Sequence, residues 1–264
     1  MVSSVSQSGH YLLRWTRTLL ESQHCKVLYG DTDSLFVDLG VEEELSYEEA
    51  MQRGREMQTF LNRKLKLHLK EEFGLESHLD LEFEKFYRHF FQPSMRGDDS
   101  RGRAKSYAAL KATPSGDELE IIGLEAVRRD WTDFARDAQR ELLQMTFSGE
   151  KAKVIEDWVQ MKIAQLKAGK LDDQLIYRKK LSKALDSYTS TTPPHVKAAR
   201  LLEVVPRVIF YLMTTEGPQP QQKCEASLDY QHYIDKQLEP IVKTLAQHYD
   251  FNWEKAILSQ QSLF

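Results

Sequence analysis

The spacing of apolar residues changes rhythm several times along the chain, and each change predicts an element. Across residues 9–23, Tyr11, Leu12, Trp15, Leu19 and Leu20 recur close to helical spacing and predict an amphipathic helix. KVLYGDTDSLFVDL, residues 26–39, then sets two apolar, β-rich runs around a short polar break, the pattern of a hairpin. Ser46 followed by Glu49 is a capping-box pair, and it opens a long helix that reaches Glu72 and stops at Gly74. In HLDLEFEKFYRHFF, Leu79, Leu81 and Phe83 alternate with Asp80, Glu82 and Glu84, which predicts a strand with one acidic face. Residues 96–105, RGDDSRGRAK, read as a basic, glycine-bearing loop, and SYAALKA with ELEIIGL as a second hairpin.

Helices dominate beyond residue 127. Thr132 is placed to cap a segment that runs to about Phe147, and a second helix covers Glu150 to Ala168 before Gly169. LIYRKKL and RVIFYLMTT are strand-like, PPHVKAARLLE begins a helix with prolines in its first turn, and GPQPQQKCEAS reads as loop. LDYQHYIDKQLEPIVKTLAQHY predicts a last amphipathic helix bent near Pro240. The expected class is therefore α+β: antiparallel hairpins with flanking helices up to residue 127, then a mostly helical part.

Composition narrows this picture only a little. The 264 residues are 41% hydrophobic, enough for one large domain or two modest ones. Lys and Arg number 36 against 40 Asp and Glu, a net charge of −4, so any nucleic-acid contact has to come from local patches. The two cysteines, Cys25 and Cys224, stand far apart and outside metal-ligand spacing, which favours a reducing compartment. Neither a membrane-length apolar stretch nor a secretory signal pattern is present, so the expectation is a cytoplasmic, soluble chain without a membrane partner.

The polar break of the first hairpin carries the candidate chemistry. In an extended backbone residues i and i+2 point to one side, so Asp31 and Asp33 can approach a common point. Two such carboxylates stay ionised together only if a cation or several donors compensate them. Hard oxygen ligands suit Mg²⁺, whose shell substrate phosphates commonly complete. The alternative is an Asx-turn, in which each aspartate bonds its own backbone. A calcium EF-hand is excluded, because its fifth and sixth positions counted from Asp31 would be Leu35 and Phe36. An aspartyl-nucleophile phosphohydrolase fits poorly, with Leu35 where threonine belongs and Gly30 before the pair.

The whole phrase Tyr29-Gly30-Asp31-Thr32-Asp33-Ser34 resembles motif C of the family B DNA polymerases, and the chain around it resembles the bacterial polymerase II branch of that family. SVSQSGHYLLRWTRTLLESQHCKVLYGDTDS is similar to the helix leading into motif C, and LDLEFEKFYRHFFQPSMRG to the acidic palm strand. KSYAAL is similar to the Lys-Lys-x-Tyr element near primer–template, although Ala104 replaces its first lysine. GLEAVRRDW, IYRKKL, PPHVKAARL, TTEGPQP and DYQHYIDKQLEP follow in the order of thumb segments, with the stretch from Arg200 to Thr214 shorter than the family pattern.

That resemblance implies part of a palm over residues 1–127, a thumb over 128–256 and a tail over 257–264. It implies DNA-directed nucleotidyl transfer from dNTP to a primer by a two-metal, Mg²⁺-dependent mechanism, with Asp33 and then Asp31 as catalytic metal ligands. Glu82 and Glu84 share an acidic strand face and read as solvated, with a place near the site as the alternative. DNA contacts would come from Arg101, Arg103, Lys105 and Tyr107, and in the thumb from Arg178, Lys179, Lys180, with Lys183 nearby, and from His195, Lys197 and Arg200 after a helix start. Gln260, Leu263 and Phe264 match the Gln-x-x-Leu-Phe pattern for a sliding clamp. Nothing in the sequence resembles motifs A or B, so the chain is expected to be a C-terminal fragment, inactive alone and nucleoid-associated in a bacterium. A non-catalytic DNA-binding and clamp-tethering module is the alternative.

Overall fold

The computed structural model describes residues 2–40, 45–95, 98–189, 192–246 and Ile257, with backbone alone at 2–6, 95 and 98–101. The chain divides into two units, Met1–Glu120 and Ile121–Phe264, and both mix helices with small antiparallel sheets. The α+β class follows directly.

In the first unit, α1 (Val2–Ser22) begins well before residue 9 and packs on a hairpin of β1 (Lys26–Asp31) and β2 (Ser34–Asp38). Its Leu20 meets Cys25 and Leu61 in a buried cluster, with Val27, Leu35, Val37, Met57 and Phe60 packed around them. The ladder runs from Lys26↔Asp38 to Asp31↔Ser34, with an irregularity between Val27 and Tyr29. Asp31 and Ser34 belong to the strands, so only Thr32 and Asp33 remain as the turn.

The long helix α2 (Tyr47–Phe73) forms as its ends dictate. Glu49 N–H donates to Ser46 Oγ at 3.3 Å, and Ser46 N–H donates back to Glu49 Oε2 at 2.9 Å. Gly74, at φ +65°, closes the other end in the left-handed conformation that glycine adopts without penalty.

The expected strand over residues 79–84 does not form. The period-two exposure holds only from Leu81, with Leu81 and Phe83 half-buried and Glu82 and Glu84 exposed; Leu79 is exposed like Asp80, and α2 side chains replace a neighbouring strand. Asn62 donates to Leu81 O at 2.9 Å and accepts from Leu81 N at 2.7 Å, while Gln58 Oε1 accepts from Phe83 N at 3.0 Å. An extended segment satisfied in this way needs no ladder.

Next come β3 (Tyr87–Phe91), β4 (Ser94–Met95), β5 (Asp98–Gly102), β6 (Tyr107–Lys111) and β7 (Glu118–Ile122). The expected hairpin of β6 and β7 extends to a sheet ordered β3-β6-β7. The expected loop before it is instead a second two-stranded sheet, β4 against β5. Its polar sequence carries no alternation, and the pairing comes from the partner strand.

The second unit begins with a 3-10 turn at Glu125–Val127, followed by α3 (Asp133–Phe147) and α4 (Ala152–Lys167). A sheet ordered β10-β9-β8 joins β8 (Tyr177–Lys180), β9 (Val208–Thr214) and β10 (Gly217–Pro220), and α5 (Pro194–Ala199) packs on β9 and β10. The expected loop GPQP is the edge strand β10, and its prolines fit because an edge strand needs donors on one side only.

The last helix is not simply bent. It runs as α6 (Tyr230–Tyr233), a π-helical turn at Ile234–Leu238, and α7 (Glu239–Ala246), with Glu239 N–H bonded to Ile234 O. Pro240 lacks an N–H and its ring crowds the carbonyl of Lys236, so the widened turn ahead of it is the physical consequence. Gln237 Nε2 supplies that carbonyl with a donor at 3.1 Å. The same side chain reaches α3: Gln237 Oε1 accepts from Thr132 N at 3.2 Å and Thr132 Oγ1 at 3.0 Å. Among the described residues no helix is long and apolar enough to cross a membrane.

Candidate active site

The tip of the β1–β2 hairpin is held by bonds to one residue. Asp33 N donates to Asp31 O at 2.6 Å, Ser34 Oγ donates to the same carbonyl at 3.0 Å, and Thr32 Oγ1 donates to Asp31 Oδ1 at 3.2 Å. Thr32 sits at φ +53°, a conformation that costs a β-branched residue on the order of 1 kcal/mol or more. This turn breaks the extended geometry between the two aspartates, so the alternation that would put Asp31 and Asp33 on one side does not apply at the tip.

Lys105 meets Asp31 there. Its Nζ donates to Asp31 Oδ1 at 2.7 Å and lies 3.5 Å from Thr32 Oγ1. Its backbone is pinned as well, at φ +54° with N–H donated to Tyr29 Oη at 2.7 Å. The hydrogen bond from Lys105 holds the Asp31 carboxyl below its usual range, against a weaker opposing effect of burial. Reciprocally, the bond to Asp31 and the attraction of its charge raise the Lys105 ammonium, and Asp33 adds a smaller pull. Asp33 itself is exposed at the outer corner of the turn.

Behind the hairpin lies a cluster that the sequence does not announce. Glu120 Oε1 accepts from Tyr87 Oη at 2.7 Å and Tyr107 Oη at 3.3 Å, and Lys85 Nζ reaches its two oxygens at 3.1 and 3.0 Å. Burial opposes ionisation of Glu120, but the bonds from Tyr87 and Lys85 outweigh it and its carboxyl falls below the usual range. Burial pushes both phenols upward. Phe36 of β2 joins this group to the hairpin, with ring centroids 5.2 Å from Tyr107, 5.1 Å from Phe90 and 5.5 Å from Tyr29. Tyr107 is thus set between Phe36 and Glu120. The alternation of ELEII marks Glu120 as a strand residue, but its partners lie 13 to 35 positions away and leave no local signal.

The remaining expected residues are distributed as follows. Arg103 holds its main chain against Pro93 and Gln92, with N donating to Pro93 O at 2.7 Å and O accepting from Gln92 Nε2 at 3.0 Å. Arg101 lies in β5, and its side chain falls outside the described residues, as do Gln260, Leu263 and Phe264. In the second unit Arg178, Lys179 and Lys180 are exposed along β8. Arg178 lies over the Phe210 ring at 5.8 Å and Lys179 Nζ stands 3.5 Å from Asp130 Oδ2, while Lys183 lies over Tyr188 at 4.6 Å. Arg200 Nη2 donates to Tyr188 O at 3.1 Å. Burial, then repulsion from Lys179, lowers His195 from its usual value. The helix start that precedes these residues is weak as an anion site: α5 has six residues, and Pro193 and Pro194 at its beginning have no N–H to offer.

The donor chemistry of the hairpin fits a hard divalent cation in part. Asp31 and Asp33 offer carboxylate oxygens of the kind Mg²⁺ takes, and one of them already carries a cationic partner. Among the described residues no three His, Cys, Asp or Glu side chains converge to hold a metal, so the two aspartates would supply a portion of the shell.

The family model described as DNA polymerase family B matches residues 3–208. The chain is 36% identical to DNA polymerase II of Escherichia coli (strain K12), over a gapped alignment of 277 positions that covers 100% of this chain and 34% of that protein. It is 30% identical to DNA polymerase 1 of Sulfurisphaera ohwakuensis, covering 89% of this chain and 25% of the relative. With the DNA polymerase alpha catalytic subunit of Xenopus laevis it shares 22% identity, covering 95% and 18%. The chain therefore spans about a third or less of the length of these relatives.

Proposed function

The chain belongs to family B of the DNA polymerases, and on that premise we propose that it forms part of the palm and the thumb of a DNA-directed DNA polymerase of the polymerase II type. The observation that carries this reading is the hairpin itself. A two-residue turn presents Asp31 and Asp33, and the lysine of the Lys-x-Tyr element is bonded to the first of them. Residues 1–127 correspond to the palm portion, 128–256 to the thumb and 257–264 to a tail that engages a sliding clamp through Gln260, Leu263 and Phe264. Primer–template DNA and dNTP are the substrates, and the setting is the cytoplasm beside the nucleoid.

In the proposed reaction the primer 3′-hydroxyl attacks the α-phosphorus of a dNTP; an O–P bond forms, the bond to pyrophosphate breaks, and the hydroxyl proton passes to water. Asp33 and Asp31 would hold Mg²⁺, which when bound would supply positive charge near the reacting phosphate oxygens. Lys105 and Arg103 face backbone phosphate, Tyr107 is oriented by Glu120 and Phe36, and the exposed cations of β8 and α5 grip the duplex without reading its sequence. Two carboxylates are fewer than the chemistry needs, so these 264 residues alone are proposed to be inactive.

Primer extension tests the reading. No incorporation is expected from the 264-residue chain, and incorporation by a full-length enzyme carrying this segment should vanish on Asp33→Ala. Full activity of that variant would overturn the metal assignment.

A further inference from the structure

The backbone of Lys105 is fixed beside the hairpin tip. Its left-handed conformation, at φ +54°, and the N–H bond to Tyr29 Oη at 2.7 Å fix the start of the side chain. The ammonium then takes Asp31 Oδ1 at 2.7 Å, although its side chain is 67% exposed and free to turn elsewhere. Asp31 is less exposed, at 31%, and Oδ1 also accepts from Thr32. One small carboxylate thus already has a cation.

A divalent ion seated on the same carboxylate would come within about 4 Å of the ammonium, where like charges repel even in water. We propose that the Lys105 ammonium and a divalent cation compete for Asp31, so that metal loading of the tip releases Lys105 toward phosphate, a competition that presupposes the metal-binding role given above to the hairpin. Asp33, which carries no bond to Lys105, is the anchor on which the ion first settles. Linkage makes the coupling reciprocal: a phosphate that draws Lys105 away frees Asp31 for the metal, and the metal frees Lys105 for the phosphate. Metal and nucleic-acid backbone then bind cooperatively through one side chain. A lysine that merely screened the aspartates would leave the two binding events independent.

Mn²⁺ binding to the 264-residue chain, followed by electron paramagnetic resonance, tests this with Lys105→Met and Asp33→Asn. Lys105→Met is expected to tighten Mn²⁺ binding by roughly tenfold at moderate salt, the effect of removing one positive charge about 4 Å from a divalent ion at an exposed site. After reductive ¹³C-methylation, which keeps lysine charged, the Lys105 signal should move during a Mg²⁺ titration of the parent and stay still in Asp33→Asn. Unchanged affinity in Lys105→Met, with binding still dependent on Asp33, overturns the competition and leaves the metal reading standing. Equal binding by the parent and Asp33→Asn sinks the metal reading itself. Absence of binding in all three chains also overturns the competition, since loss of Lys105 should expose the site.

Discussion

Lys105 stands 2.7 Å from the Asp31 carboxylate across 74 positions of sequence, and its backbone N–H is bonded to Tyr29, two residues before that aspartate. The KSYAAL segment and the β1–β2 hairpin are therefore one structural object. The two aspartates, alike in sequence, sit in different surroundings: one is paired, the other faces outward.

This asymmetry predicts unequal mutants. In a full-length enzyme, Asp33→Ala should lower primer extension by about a thousandfold or more, the scale of losing several kcal/mol of metal-borne charge stabilisation. Asp31→Asn, whose oxygen still accepts from Lys105, should cost less. Steady-state extension assays that ranked the two variants in the opposite order would reverse the roles.

The DNA contacts proposed for the second unit should show in the salt dependence of DNA binding. Among the described residues Lys180 and Lys197 have no acidic partner, whereas Lys179 is engaged by Asp130. Each phosphate contact removed lowers the slope of log K against log salt by about 0.9. Lys197→Ala and Lys180→Ala should each do so in fluorescence-anisotropy titrations, and Lys179→Ala by a smaller amount.

Gly54 lies buried in the middle of α2, where alanine would ordinarily gain about 1 kcal/mol of helix propensity. A Cβ there would stand 2.3 Å from Phe83 Cζ, and Phe83 N is held by Gln58. Overpacking of about 1–3 kcal/mol outweighs the gain. Gly54→Ala should therefore lower the unfolding midpoint, while alanine at exposed Gln52 should not.

The Thr132–Gln237 contact joins the start of α3 to the π turn, and both side chains are buried. Gln237→Leu strands two donors of Thr132 and should cost about 2–3 kcal/mol in urea unfolding. Thr132→Ala, which also removes the cap on Ala135, should cost about 1–2 kcal/mol. The double variant should lose less than the sum, because the sites share one contact.

His232 predicts a pH dependence. Burial lowers it from its ordinary 6.5, Lys236 assists, and Asp229 and Asp235 oppose. Its Nε2 lies 3.0 Å from Tyr177 Oη. The unfolded chain binds this proton more readily, so the contribution is fully present above pH 6.5 and is lost as pH falls through the lower folded value. Thermal unfolding between pH 7.5 and 5 should show the decline, and His232→Gln should flatten it.

Much of this architecture is readable from the chain because its causes are local. Ser46 with Glu49, Gly74 and Thr132 act on backbone within a few residues, and the hairpin follows from adjacent β-rich runs. The failures share a physical origin in partners far along the chain. Residues 79–84 carry the rhythm of a strand, yet Asn62 and Gln58, some 20 positions upstream, take its backbone bonds. Strand β5 has no rhythm of its own, and Glu120 becomes a hub only once β3, β6 and β7 align. At the tip, sequence names Asp31, Asp33 and Lys105 separately. That the last pairs with the first is a fact of folding.

The π turn has a consequence for reading helices. Tyr233, Ile234, Gln237, Leu238, Ile241, Val242, Leu245 and Ala246 are all buried, a strict spacing of four. In a regular α-helix four residues advance about 400°, so such a stripe would slip by about 40° per repeat and about 120° over three. The wide turn at Ile234–Leu238 takes up most of that slip and keeps the stripe on one side. A four-residue beat that spans a proline is thus a phase signature, and deleting one residue from 234–238 would let a regular four-residue advance replace the wide turn, with Ile241 and Val242 still in their seats.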